Sequence, residues 1–222
     1  MTYALRQQGA AGRAGAAFTL GIFNNPLATP ALIEALNDED AKVRATAANA
    51  LGEISEARAV QPLIAAADDT DAAVREAAVR ALGGIGLKLN APHIAVTLEA
   101  AVDDADWGTR QSAAEMLIRL KASSAERARQ MLLRDLQDAD HEVQLGAAWS
   151  LLPDKAPQAV DALLKLLTAP DVRVSGSAAL ILGEYGDSRA APALKALLRR
   201  SDEQVMHAAQ TALRKLGHDT GA

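Results

Sequence analysis

Cysteine is absent from the 222 residues, which removes disulfides, thiolate metal sites and a thiol nucleophile and is compatible with a reducing compartment. Aromatic residues are scarce: Trp107, Trp149, Tyr3, Tyr185, Phe18 and Phe23 make up 3% of the chain. Sheets favour β-branched and aromatic side chains, while the Ala and Leu that dominate here favour helices, so an all-α protein is expected. No apolar run reaches the ~18 residues of a membrane-crossing helix, and no membrane partner is expected. Cations do not prevail either. Lys and Arg number 23 against 28 Asp and Glu, a net charge of −5, which gives no general attraction to phosphate backbones or anionic lipid. The basic residues that do gather, Lys121, Arg127, Arg129 and Arg134, then Arg199 and Arg200, alternate with acids and lack interleaved aromatics. Nucleic acid is therefore not an expected partner. Half of the residues are hydrophobic, ample for a core, and a cytoplasmic protein is expected.

The dominant feature is repetition. "DEDAKVRATAANALGEI" at 38–54 returns as "DTDAAVREAAVRALGGI" at 69–85. With Asp40 as position zero, equivalent residues are Gly9, Asp71, Asp106, Asp140, Asp171 and Asp202, at intervals of 31, 31, 35, 34, 31 and 31 residues. Position seven is always alanine (Ala16, Ala47, Ala78, Ala113, Ala147, Ala178, Ala209) and position eleven always leucine (Leu20, Leu51, Leu82, Leu117, Leu151, Leu182, Leu213). With apolar residues at position fourteen in all copies but that of Asp154, these offsets trace one face of a helix. The zero-position Asp suits an N-cap, and Gly52, Gly83, Gly183 and Gly217 are expected to stop or loosen the helix end. A second apolar series, with Leu32, Leu63, Leu98, Leu132, Leu163 and Leu194 eight residues before zero, marks another helix in each copy, often entered at proline as in Pro30, Pro62 and Pro192. One such pair cannot bury its apolar stripe alone, so the copies must stack.

The units "VRATAANALGEI" and "VREAAVRALGGI", with "PLIAAADDTD" before the second, resemble the short HEAT-like repeats of phycobilisome-lyase-type proteins. The resemblance covers almost the whole chain. It implies a single domain, residues 1–222, forming a right-handed α-solenoid of about seven stacked antiparallel helix pairs, in units of roughly 1–25 (truncated), 26–58, 59–91, 92–125, 126–156, 157–189 and 190–222. The shortened first unit leaves open that the chain is a fragment, although atypical terminal repeats are ordinary. "RAGAAFTLGIFNNPLATPA" has the outline of a weak secretory signal, but the repeat accounts for it better. The resemblance also implies a ladder between neighbouring units, from Arg13, Arg44, Arg75 and Arg110 to Asp38, Asp69, Asp104 and Asp138. Gln144, Ser175 and Met206 then replace the arginine, and Ala169 and Arg200 the aspartate, so the ladder should fade towards the C-terminus.

Catalytic signatures are missing. The acidic runs "DDTD", "DDAD" and "DAD" lack the loop and terminal Glu of a calcium-binding EF-hand, and capping with the ladder explains them, so no metal is expected. Among His93, His141, His207 and His218 only His141 precedes a Glu, which argues against the HEAT-like di-iron hydroxylases, since these carry several His-Glu pairs. "LGGIG" at 82–86 reads as a helix C-cap and not a phosphate loop. No catalytic residue and no cofactor is assigned. In HEAT-like solenoids the second helices line the concave surface, and position nine should look into it: Phe18, Asn49, Arg80, Glu115, Trp149, Leu180 and Thr211. Trp149 and Leu180, joined by Leu145 at position five, with Gly146, Gly176 and Ser177 leaving space, form the expected anchor for a protein or peptide. Pro153 leaves open a rotated or shortened helix that turns Trp149 into the core. Arg80, Glu115, Arg119, Arg173 and Glu184 are the expected rim. The function expected is thus a non-catalytic, monomeric binding scaffold; the alternative, implied only by the resemblance, is a lyase or chaperone for a bilin or other tetrapyrrole.

Overall fold

The structure is a computed structural model that describes residue 5 and residues 9–200 and 202–218. Among them the regular structure is entirely helical. The second helices of the repeats are α1 (Ala10–Ile22), α3 (Ala41–Ile54), α5 (Ala72–Leu89), α7 (Trp107–Arg119), α9 (His141–Ser150), α11 (Val172–Tyr185) and α13 (Glu203–Lys215). The first helices are α2 (Thr29–Ala35), α4 (Val60–Ala66), α6 (Ala95–Ala101), α8 (Ala125–Asp135), α10 (Pro157–Leu166) and α12 (Ala191–Leu197). Tyr3 lies outside the described residues. The chain forms two compact units, Met1–Ala128 and Arg129–Ala222. In the first, α1, α3, α5 and α7 pack side by side in sequence order; in the second, α9, α11 and α13 do so. Each of α2, α4, α6, α10 and α12 lies on the second helix that follows it.

The helix starts follow from the zero-position aspartates. Asp40, Asp71, Asp106, Asp140, Asp171 and Asp202 are all N-caps whose carboxylates accept from amides in the first turn, where four N–H groups would otherwise lack partners. The helix ends have a less obvious rule. Asn24, Ser55, Lys121, Lys155, Gly186 and Gly217 all adopt positive φ, and all stand at position fifteen. Asn90 does the same four residues later, because the extra residues of the third repeat lengthen α5 by one turn. "LGGIG" therefore lies inside α5 and not at its C-cap.

The glycines at position twelve have a different task from the one expected. Gly52, Gly83 and Gly183 lie within their helices, and only Gly217 keeps a terminating role. A β-carbon on Gly52 would sit 2.9 Å from both Cα and Cβ of Ala81 on α5; on Gly21 it would meet Ala50 at the same distances, and on Gly183 it would lie 2.8 Å from Cα of Ala212. Each bare glycine lets two helix backbones touch. Around these contacts, the alanines at position seven and the leucines at position eleven are all buried in their seven repeats.

The ladder is present in the first unit. Nε and Nη2 of Arg13 donate to the two carboxylate oxygens of Asp38, each at 2.7 Å. Arg44 grips Asp69 at 2.8 Å twice, and Arg75 grips Asp104 at 2.8 and 2.9 Å. The third nitrogen turns back, Nη1 of Arg44 to the carbonyl of Asp38 and Nη1 of Arg75 to that of Asp69. Arginine hydrogen bonds hold the carboxyls of Asp38, Asp69 and Asp104 below the usual range, against the opposing effect of burial. In the second unit Gln144 keeps only the backward bond, to the carbonyl of Asp138. Ala169 offers no carboxylate to the forward direction.

Candidate functional site

Trp149 and Leu180 occupy position nine on α9 and α11, which pack against each other within the second unit. Both side chains are open to solvent, Trp149 at 49% and Leu180 at 44% exposure. Pro153 does shorten α9: having no N–H, it cannot bond the carbonyl four residues back, and a 3-10 turn, Leu152–Asp154, follows directly. The shortening leaves Trp149 on the exposed face and does not rotate it inward.

Leu145 differs from what was expected. It is only 7% exposed and cannot join the pair as an open anchor. Position five lies seven residues, about two turns, before position twelve. It therefore faces the following repeat, as do Glu76, which accepts from Ser112 at 3.4 Å, and Gly176, whose β-carbon would lie 3.9 Å from Ala208. Gly146, Gly176 and Ser177 are half-buried, and the space beside Gly176 lies towards Cβ of Ala208 on α13 and not between Trp149 and Leu180.

The expected rim divides between the units. On α11, Arg173 pairs with Asp171 at 3.3 Å and Glu184 with Lys215 of α13. Lys155 adds a cation here that was not foreseen: its Nζ donates to the carbonyl of Tyr185 at 3.0 Å and lies 5.7 Å from that ring's centroid. It caps the C-terminal end of α11, where the orphan carbonyls concentrate negative potential. Arg80, Glu115 and Arg119 belong to the first unit, where Arg80 lies 3.7 Å from Glu76 and Arg119 3.2 Å from Glu115, both pairs one helical turn apart. The first unit carries an exposed apolar set of its own, Phe18 at position nine and Ile22 at thirteen. Phe18 was visible in the register, but a single aromatic on the first repeat carried no signal.

No group of three or more His, Asp or Glu side chains among the described residues is arranged to hold a metal ion. The acidic runs are engaged with the backbone and with arginine: Asp103 pairs with Arg127 at 2.6 Å, and Asp138 accepts from the amide of Asp140 at 2.9 Å. No helix among the described residues is long and apolar enough to cross a membrane.

Comparison with known proteins agrees with this architecture. A sequence profile of HEAT repeats matches residues 2–83, 60–151 and 129–214. No curated protein sequence matches. Among solved structures, the complex of CpcE and CpcF of phycocyanin lyase from Nostoc sp. is similar, with 25% identity and a TM-score of 0.61 over 97% of this chain and 92% of that one. Human deoxyhypusine hydroxylase in complex with glycerol is 20% identical, with a TM-score of 0.49 over 98% of this chain and 95% of that one.

Proposed function

The chain belongs to the HEAT-repeat proteins, and from that premise we propose that it is a non-catalytic scaffold binding a protein or peptide on the face of its second helices. The observation that carries the reading is the pair Trp149 and Leu180, two large apolar side chains exposed at one repeat position on adjacent helices. Tryptophan is enriched among residues that dominate binding energy. Arg173 and Glu184 flank the pair on α11 and would orient a partner more than hold it.

Selection of a displayed peptide library on the full chain tests this. Peptides should be enriched, and Trp149→Ala should weaken the selected peptides' binding by about tenfold or more while changing stability by less than ~1 kcal/mol, as suits an exposed side chain. Retention of full affinity by Trp149→Ala and Leu180→Asp would remove the proposal.

The similarity to the phycocyanin lyase complex favours a second reading, a role in attaching or chaperoning a bilin. Titration with a bilin while recording its visible absorption separates the two, since a peptide scaffold leaves the spectrum unchanged.

A further inference from the structure

Consecutive second helices are held together at two heights. In their C-terminal halves, glycine at position twelve meets alanine at position ten of the next helix: Gly21 with Ala50, Gly52 with Ala81 and Gly183 with Ala212. Nearer their N-termini, in the first unit, arginine at position four grips the aspartate two residues before the next zero position. Repeats five and six have neither contact. Their positions twelve and ten are Leu152 and Ile181, and the gripping positions are Gln144 and Ala169. Gln144 turns back to its own repeat, and Ala169 carries no charge. Between α11 and α13 the grip is also gone, but Gly183 keeps its contact and Arg200 reaches the carbonyl of Leu167 at 3.5 Å. Of the consecutive second helices within each unit, α9 and α11 accordingly approach least closely. The shortness of α9, ten residues against thirteen in α13, accounts for only part of this.

Tyr185 and Lys155 join α9 to α11 instead, and both act at the C-terminal end of α11. The Tyr185 hydroxyl donates to the carbonyl of Ala148, near the end of α9, and Lys155, just beyond α9, donates to the carbonyls of Glu184 and Tyr185. Towards the N-termini, Leu145 supplies buried apolar packing, which has no preferred direction and lets one surface slide on another. We infer that the contact between α9 and α11 is a hinge: α9 swings about a pin made by Tyr185 and Ala148, so that the N-terminal ends of the two helices open and close while their C-terminal ends stay joined. Trp149 is the residue next to Ala148 and stays with the pin, whereas Glu142, six residues or about 9 Å back along α9, moves most. For the binding site proposed above, and resting on that proposal, the swing changes the spacing of Trp149 and Leu180 little and lets the charged edge at Glu142 and Arg173 adapt to a partner.

The chain has no cysteine, so pairs of nitroxide labels can be placed on the full chain and their separations read by double electron–electron resonance. Labels at Glu142→Cys and Gln204→Cys report α9 against α13. Labels at Ala11→Cys and Ala73→Cys report α1 against α5, the same number of repeats apart, through the contacts of Gly21 and Gly52 and the grips of Arg13 and Arg44. All four are exposed residues at position two. The first distribution of distances should be at least about twice as wide as the second. Gln144→Arg with Ala169→Asp, which rebuilds the grip, should narrow it towards the control width, and Tyr185→Phe, which unfastens the pin, should widen it. Far-UV circular dichroism checks that each variant is folded. Equal widths for the two label pairs in the parent chain, or a width that neither the rebuilt grip nor Tyr185→Phe alters, overturns the hinge. No peptide is present in these measurements, so their outcome is separate from that of the peptide selection.

Discussion

The hydroxyl of Tyr185 donates to the carbonyl oxygen of Ala148, 2.6 Å away on the preceding second helix. It joins α9 to α11 at the one place in the second unit where the glycine contact is missing, because position twelve of that repeat is Leu152. Burial pushes the phenol well above its ordinary range.

Tyr185→Phe should therefore cost ~0.5–1.5 kcal/mol at neutral pH by removing a buried hydrogen bond. The folded state holds the proton more tightly than the unfolded chain, which titrates near pH ~10. The contribution is present below that value and is lost as pH rises through the raised folded one. Urea denaturation at about pH 7 and about pH 11 should show a smaller alkaline loss in Tyr185→Phe than in the parent.

Two glycines on second helices separate packing from helix propensity. Gly84→Ala adds a methyl where nothing lies within 4 Å and should stabilise by ~0.5–1 kcal/mol. Gly52→Ala places its methyl 2.9 Å from the backbone of Ala81 and should instead destabilise by ~1–3 kcal/mol through overpacking. Thermal melts that move in the same direction for both would contradict the helix contact.

The ladder predicts sensitivity to acid. The carboxyls of Asp38, Asp69 and Asp104 are held low by their arginines, while in the unfolded chain they titrate near ~3.9. Stability from these groups is thus complete above that value and lost as pH falls through the lowered folded values. Asp171 and Asp187 are also held low by nearby N–H donors, but solvent screens them and their contribution is small. Asp69→Asn should flatten the decline in melting temperature between about pH 5 and pH 2. Arg44→Lys, which cannot form the two-pronged bond, should reproduce part of the loss at neutral pH.

The positive-φ helix ends predict gains. Lys121 holds φ of 52° and Lys155 of 51°, a conformation that disfavours side chains with a β-carbon by about 1 kcal/mol. Lys121→Gly should raise stability by about that amount. Lys155→Gly should gain less, because its ammonium group caps α11. Chemical denaturation of the two variants side by side measures the difference.

The helix pairs, the Asp caps and the Ala and Leu positions were legible in the sequence because each depends on one side chain with a single local or periodic task. Gly52 and Gly183 were misread because glycine has two uses, ending a helix and letting another helix approach, and only the neighbour decides between them. The helix ends were hidden for a related reason: Asn24, Ser55, Lys121, Lys155, Gly186 and Gly217 share a backbone shape and no chemistry. At the candidate site, the exposure of Leu180 and Trp149 followed the register. Leu145 did not, because position five is covered by the adjacent repeat and a one-dimensional pattern does not show how closely that repeat stands.

The grips Arg13–Asp38 and Arg44–Asp69 span the same 25 residues and recur 31 residues apart, which makes the length of the first unit an adjustable quantity. Removing residues 39–69 would join Asp38 to Thr70 and leave Arg13 with its carboxylate, while Gly21 would find Ala81 where Ala50 had been. The grip and the glycine contact are re-formed with residues of the same kind, while Arg13 loses the second carboxylate of Glu39 to Thr70, so unequal recombination could shorten or extend this part of the chain in steps of 31 residues and keep its main helix contacts.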